Sequence, residues 1–422
     1  MNPRAATLTE SRSTTAEMTG VPFIVGFFFA FRVIIVLLSA RFLGMEPQTG
    51  AVITVGLNLV LPLLVAFQCV GSVEHTFKTM LRPWSIRWAF IFLIFSGASL
   101  SWTVAASMSA AVAYWCGMAA DVLMVVLLFR SGDIPTMASA LMRGFIWGAC
   151  VVAIVAWLLP AQSDLRLGDE ELLGPNQIGY LCGFALFFVQ YLIRKKEGNW
   201  TFVAVLLGVT LLRSLSKTTL GAFIAAEILL FVLDPSMKRK TKVLLISGTV
   251  VAALAFSSLL TSYFETYSSS GGPETLTGRL GIWAYILNEA VEKPWIGHGF
   301  YSVWKVIPPF GSFEARHAHN ELIQQFYAYG AVGVIMMFGI YTAFYRQLRK
   351  LTLKADRAYY LALLVFVLIR GLTDTEACDI SLPLWSIIMF TLLIECTRRT
   401  GTEPILIPAD AGNSNCHSIV IS

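Results

Sequence analysis

Apolar runs of bilayer-spanning length follow one another along most of this 422-residue chain. A helix needs about 20 mostly apolar residues to cross the hydrocarbon core. Unpaired backbone groups are too costly there, so runs of this length must be helical. Twelve are read: roughly 21–42, 51–70, 87–104, 109–129, 139–160, 177–193, 200–215, 218–233, 243–260, 321–343, 358–373 and 382–397. Residues 200–233 admit two readings, one long helix or two half-helices meeting around 213–217. Composition agrees, with 56% hydrophobic and 14% charged residues, against about 25% charged in soluble domains. The mean hydropathy is +0.69. An all-α polytopic membrane protein is expected.

The net charge of +5 does not point to nucleic acid, because the basic residues are scattered through short loops between apolar runs. Seven cysteines form no CxxC pair and no Cys/His cluster, so neither a disulfide framework nor a zinc site is expected. Residues 1–20 are polar without an apolar core and read as a cytoplasmic tail rather than a cleaved signal. Residues 398–422 read the same way. The basic segments "RKKEGN" (194–199), "MKRKTK" (237–242) and "YRQLRKLTLKADR" (345–357) go to the cytoplasm by the positive-inside rule. An even number of spans then puts both termini inside. Residues 21–260 hold nine spans, 261–320 form one large external loop, and 321–397 hold the last three. Acidic residues dominate the outer segments, so each cation there needs a reason.

Within the large loop, "SSSGGPET" (268–275) is a flexible lead into "TGRLGIWAYILNEAVEKP" (277–294). Leu280, Trp283, Ala284, Leu287 and Val291 repeat at helical spacing, which predicts an amphipathic helix capped by Thr277 and ended by Pro294. Such a helix can lie in the interface with Trp283 at headgroup depth. Arg279 falls in its first turn, where the helix dipole disfavours a cation and suggests an anion nearby. "WIGHGF" (295–300) reads as a glycine-punctuated turn, or as a close backbone approach to a substrate. "RHAHNELIQQFYAYG" (316–330) then places Arg316, His317, His319 and Asn320 directly before an apolar run. Asn320 is expected to cap the helix beginning at Glu321. That helix would aim free N–H groups and positive dipole at the outer face. Histidine exchanges a proton near neutral pH. His319 beside Arg316 therefore suits phosphate binding and removal of a hydroxyl proton; the alternative is a pair of inert interfacial histidines.

Arg213 and Lys217 stand four apart in "LLRSLSKTTLGAF" (211–223). On one helix they would repel, and a bound polyanion would relieve this. Snorkelling to headgroups explains them equally well. Gly174-Pro175-Asn176 reads as a turn followed by a cap, and Arg166 is the cation of that loop. Arg370 and Asp374, four apart, read as a structural ion pair. Asp121 and Glu227 lie inside spans; interhelical hydrogen bonding is the expected role.

Taken in order, the GPN turn, "SKTTLGAF", "GRLGIW", "PWIGHGF" and "HAHNELIQQFYAYGAVG" resemble the bacterial O-antigen ligase and O-antigen polymerase family. The similarity extends to exopolysaccharide polymerization proteins of the succinoglycan polymerase kind. It covers about 165–345; the first 160 residues match in hydropathy alone. The resemblance implies a GT-C-like, metal-independent glycosyltransferase without a cofactor, in the bacterial inner membrane. Its donor would be a glycan on undecaprenyl pyrophosphate. Its acceptor would be a lipid-linked glycan or lipid A core. Membrane lipids, chain-length regulators and export proteins would be further partners. Carried over by motif, His319, Arg279 and Lys217 are the catalytic set, with lysine at 217 where relatives have arginine. Tyr329 stands where relatives often have glutamate. Arg213, Arg316, Asn320, His317, Asn176 and Trp283 are the expected substrate-binding residues.

The implied chemistry is attack of an acceptor hydroxyl on the anomeric carbon, with His319 as base, cations on the departing pyrophosphate, and inversion. Polymerase and ligase differ only in acceptor. A transporter with Asp121, Glu227 and Arg370 as its pathway is the alternative of another class.

Overall fold

The computed structural model describes residues 19–70, 73–160, 162, 166–169, 171–235, 240, 242–243, 276–304, 317–374 and 381–400. These residues are helical apart from turns and one isolated bridge between Asp169 and Leu173. Leaving aside single turns such as Phe77–Met80, the helices are α1 (Thr19–Arg41), α2 (Pro47–Gln68), α3 (Trp84–Ala98), α4 (Met108–Ser131), α5 (Ile134–Leu158) and α6 (Pro175–Arg194). They continue as α7 (Thr201–Arg213), α8 (Lys217–Leu233), α9 (Leu276–Ala290), α10 (Glu321–Leu348), α11 (Lys354–Thr373) and α12 (Ser381–Thr400). Among the described residues seven helices are long and apolar enough to cross a membrane: α1 to α6 and α10. The protein is a multi-pass membrane protein. Eleven of the twelve expected spans coincide with a helix; the ninth, 243–260, and the polar tails lie largely outside the described residues.

Residues 200–233 form two helices. α7 ends at Ser214, Leu215 takes a left-handed φ of 51°, and α8 starts after Ser216. The break is held from outside. The Asn176 side-chain carbonyl accepts from Ser216 Oγ at 2.8 Å and from Arg166 at 3.1 Å, while Ser216 Oγ lies 3.0 Å from Thr219 Oγ1, whose hydroxyl it can accept. Buried polar groups satisfied in this way specify one geometry.

Association in a bilayer rests on close packing rather than on burial from water. Gly144 and Gly148, a small-xxx-small pair on α5, abut the α1 backbone at Phe23 and Phe27, where a Cβ would collide with carbonyl groups. Intramembrane polar residues are paired, as their cost demands. Arg32 of α1 makes a two-pronged contact with Asp121 of α4 at 2.8 and 2.7 Å and reaches Asn58 of α2 at 3.3 Å. Gln190 of α6 donates to Glu227 of α8 at 2.6 Å. Both carboxylates thus have the interhelical role expected of them.

α10 is broken at Gly330, where φ is 61° and ψ −158°. The break frees backbone groups, and the Pro294–Gly299 turn satisfies them. His298 N donates to Tyr327 O (2.9 Å) and Gly299 N to Ala328 O (2.7 Å). Ala331 N donates to Pro294 O (2.7 Å) and Val332 N to Trp295 O (3.2 Å). The glycines of "WIGHGF" therefore serve a close backbone approach to the chain's own helix. Gly297 has a φ of 63°, and a Cβ on it would lie 2.4 Å from the Ala328 carbonyl carbon. His298 is buried and stacks on Tyr327 with ring centres 4.4 Å apart.

α9 differs from the stripe read in the sequence. Its packed face is Ile282, Ile286 and Ala290, set against Val303, Ala318 and Tyr327. Leu280, Leu287 and Val291 are exposed. Trp283 is partly buried on the packed side and gives its indole N–H to Ala318 O at 2.8 Å. Apolar residues occupy both faces of this helix: one packs on the protein, and the stripe read in the sequence is left exposed at Leu280, Leu287 and Val291.

Candidate active site

The site is assembled where α10 begins, α11 ends and α9 passes. Asn320 caps α10 as expected: its Oδ1 accepts from Ile323 N at 3.1 Å. Its amide N–H₂ also donates to Leu372 O at 2.8 Å, which locks the start of α10 to the end of α11. Ala318 is held twice more, by Trp283 and by a 2.8 Å bond from its N–H to Gln324 Oε1. His319 sits between these anchors in a left-handed conformation, φ 51°. Histidine is among the side chains found there most often, and such backbone persists only where its surroundings over-determine it.

The His319 side chain faces Asp374, with Nδ1 2.9 Å from Oδ1. Asp374 is 1% exposed. Burial works to raise its pKa, but the His319 hydrogen bond and the charges of Arg370, His319 and Arg279 prevail. They hold the carboxyl well below the usual carboxylate range. An ionised carboxylate can only accept, so Nδ1 carries the proton and donates. Nε2 is then the nitrogen that can accept a proton. This carboxylate–imidazole pair is the form in which a histidine is oriented as a base.

His317 packs edge-on against His319, ring centres 4.1 Å apart. Burial above all holds His317 well below the usual histidine range. The charges of His319, Arg370 and Arg279 push the same way, and Asp374 opposes them. Ligand atoms of His317, His319 and Asp374 lie within 4.8 Å of one another.

Arg279, in the first turn of α9, and Arg370, at the end of α11, both act electrostatically on Asp374 and His317. Arg370 acts on Asp374 through its charge, and the hydrogen bond of the carboxylate goes to His319 instead. α11 ends at Thr373, and Asp374 turns extended, φ −161° and ψ 147°, which carries its carboxylate to His319. The Arg370 guanidinium lies 3.9 Å above the Tyr180 ring of α6. Asn176 sits one turn before Tyr180 on α6 and bonds Ser216, the neighbour of Lys217. Lys217 and Arg370 thus stand at the same end of the bundle, linked through one turn of α6. Arg213 closes α7 on the other side of that break and is half-buried. Arg316 lies outside the described residues. Tyr329, buried against the edges of Phe92 and Phe95, is a packing residue.

The structure therefore gathers His319, His317, Asn320, Arg279 and Trp283, and adds Asp374 and Arg370. The signal for these two was present: an intramembrane cation with a carboxylate just past a helix end. The spacing alone suggested that they served each other. An imidazole base, an ionised orienting carboxylate, two or three cations and a helix N-terminus can deprotonate a hydroxyl beside an anionic leaving group.

Residues 202–338 match the O-antigen ligase family Wzy_C. That stretch contains Lys217, Arg279, His317, His319 and Asn320; Arg370 and Asp374 lie beyond it. The chain is 26% identical to exopolysaccharide production protein ExoQ of Rhizobium meliloti (strain 1021) over 302 residues, 65% of this chain and 67% of the relative.

Proposed function

These matches support an O-antigen ligase/polymerase-like family of membrane glycosyltransferase-like enzymes, and from that premise we propose that this chain polymerises lipid-linked oligosaccharide repeats. The donor is a glycan on undecaprenyl pyrophosphate, and the acceptor is a second lipid-linked glycan. The reaction runs on the periplasmic face of the inner membrane, with both termini cytoplasmic. The excess of Lys and Arg in the segments at 194–199, 237–242 and 345–357 supports that orientation.

The acceptor hydroxyl attacks the anomeric carbon. A new oxygen–carbon bond forms as the bond from that carbon to the pyrophosphate oxygen breaks. The hydroxyl proton passes to His319 Nε2, and the electron pair leaves with the pyrophosphate. Asp374 fixes the tautomer and stabilises the imidazolium that forms. Arg279, Arg370 and Lys217 hold the growing negative charge, aided by the N-terminus of α10. Single displacement inverts the anomeric centre. The observation that carries this reading is the 2.9 Å His319–Asp374 contact beside two arginines.

The name of the matched family favours a second acceptor, lipid A core, which would make the chain a ligase. The test is transfer in proteoliposomes with one lipid-linked repeat as sole substrate, analysed by mass spectrometry. Longer lipid-linked chains support polymerisation. Products that form only when lipid A core is added support ligation. Retention at the anomeric carbon refutes single displacement.

A further inference from the structure

Among the buried side-chain atoms of the site that make no hydrogen bond, two can ligate a metal: Nδ1 of His317 and Oδ2 of Asp374. Together with His319, these residues bring one ligand atom each within 4.8 Å of one another. Asp374 is 1% exposed, so its second oxygen is an orphaned anionic acceptor. Such atoms in a folded protein call for an occupant.

Two imidazoles and one carboxylate form a donor set suited to zinc and its neighbours in the first transition row, with a fourth position open. Ligation uses an unprotonated imidazole nitrogen and an ionised carboxylate, both of which this donor set can offer. Bond lengths of about 2.0–2.2 Å put tetrahedral ligands roughly 3.3 Å apart, so the present spacing needs inward movement of order 1 Å. Side-chain rotation of His317, which is tied by no hydrogen bond at Nδ1, can supply it. Arg279 and Arg370 oppose a bare dication, and they favour a site whose fourth ligand is an anion such as hydroxide.

We propose that His317, His319 and Asp374 form a divalent transition-metal site whose occupation switches the enzyme off. The ion takes the position of the proton now shared by His319 Nδ1 and Asp374 Oδ1. That ring proton moves to Nε2, and no proton is lost from the pair. Nε2 then bears hydrogen and cannot accept the acceptor's proton. The binding claim stands on the three residues alone; the inhibition rests on the reading of His319 as base.

The test uses the full chain, metal-stripped, in nanodiscs. Cobalt(II) alone is titrated in, and its visible ligand-field bands are followed. One equivalent giving tetrahedral bands, displaced by zinc, is expected. His317→Ala and His317→Gln should each weaken binding at least tenfold while melting as the parent does. Absence of bands, or bands unchanged in both variants, overturns the site. In a second arm, zinc should stop glycosyl transfer and EDTA should restore it. The His317 variants should resist zinc at least tenfold relative to their own metal-free rates. Cobalt bands with zinc-insensitive transfer would keep the site and refute His319 as the base.

Discussion

Gly330→Ala should uncouple the two halves of α10 from the turn that splices them. Gly330 has φ 61° and ψ −158°, a region essentially restricted to glycine that costs another residue about 1–3 kcal/mol. A Cβ there would lie 2.4 Å from the Trp295 carbonyl carbon, 2.5 Å from its oxygen and 2.7 Å from Ile296 N. These are backbone atoms, so the turn itself must withdraw. Its withdrawal breaks the four backbone bonds made by His298, Gly299, Ala331 and Val332, each worth about 1 kcal/mol. The sum, about 5 kcal/mol, rivals the whole stability of an ordinary domain. Thermal unfolding in detergent should show a large fall in melting temperature, and amide exchange at those four positions should accelerate. Gly208→Ala on α7, where a Cβ meets nothing within 4 Å, is the control and should be neutral or slightly stabilising. Parent-like melting and protection in Gly330→Ala would refute the splice.

Other perturbations separate chemistry from scaffold. Asp374→Asn removes the ionised acceptor that fixes His319, and transfer should fall about 10²–10⁴-fold while melting changes little; rates within tenfold of the parent would contradict the pair. Arg279→Ala should cost about 10²-fold in transfer, and Arg279→Lys should recover only part of it, because lysine lacks the bidentate fork. Asp121→Asn leaves Arg32 without its counter-charge and should destabilise by roughly 3 kcal/mol, with transfer per folded molecule unchanged; loss of activity without loss of stability would revive a transport pathway through Asp121. Asn320→Ala removes both the α10 cap and the bond to Leu372 and should cost about 1–2 kcal/mol.

Hydropathy made the helices legible because a bilayer leaves the backbone few options. Residues 21–42 and 139–160 could hardly have been read otherwise. The cap at Asn320 was equally plain, since a short polar side chain before an apolar run satisfies a free N–H wherever it occurs. What periodicity could not show was tertiary. The protein-facing side of α9 was not legible, because Ile282, Ile286 and Ala290 are as apolar as Leu280, Leu287 and Val291. The break at Gly330 leaves no trace in hydropathy, and its partner turn lies over thirty residues upstream in the chain. Asp374 was assigned to Arg370 because a helical register was carried one residue past the helix end. Its hydrogen-bond partner, His319, is 55 positions away, and Arg370 acts on it through charge.

The central claim is that His319, oriented by Asp374, takes the proton from a glycan hydroxyl. The most direct measurement is extension of one lipid-linked repeat by the purified protein in proteoliposomes, beside His319→Ala reconstituted to the same density and melting at the same temperature. Longer lipid-linked chains from the parent and none from the variant are the predicted result. Chain extension that survives the loss of His319 would contradict it.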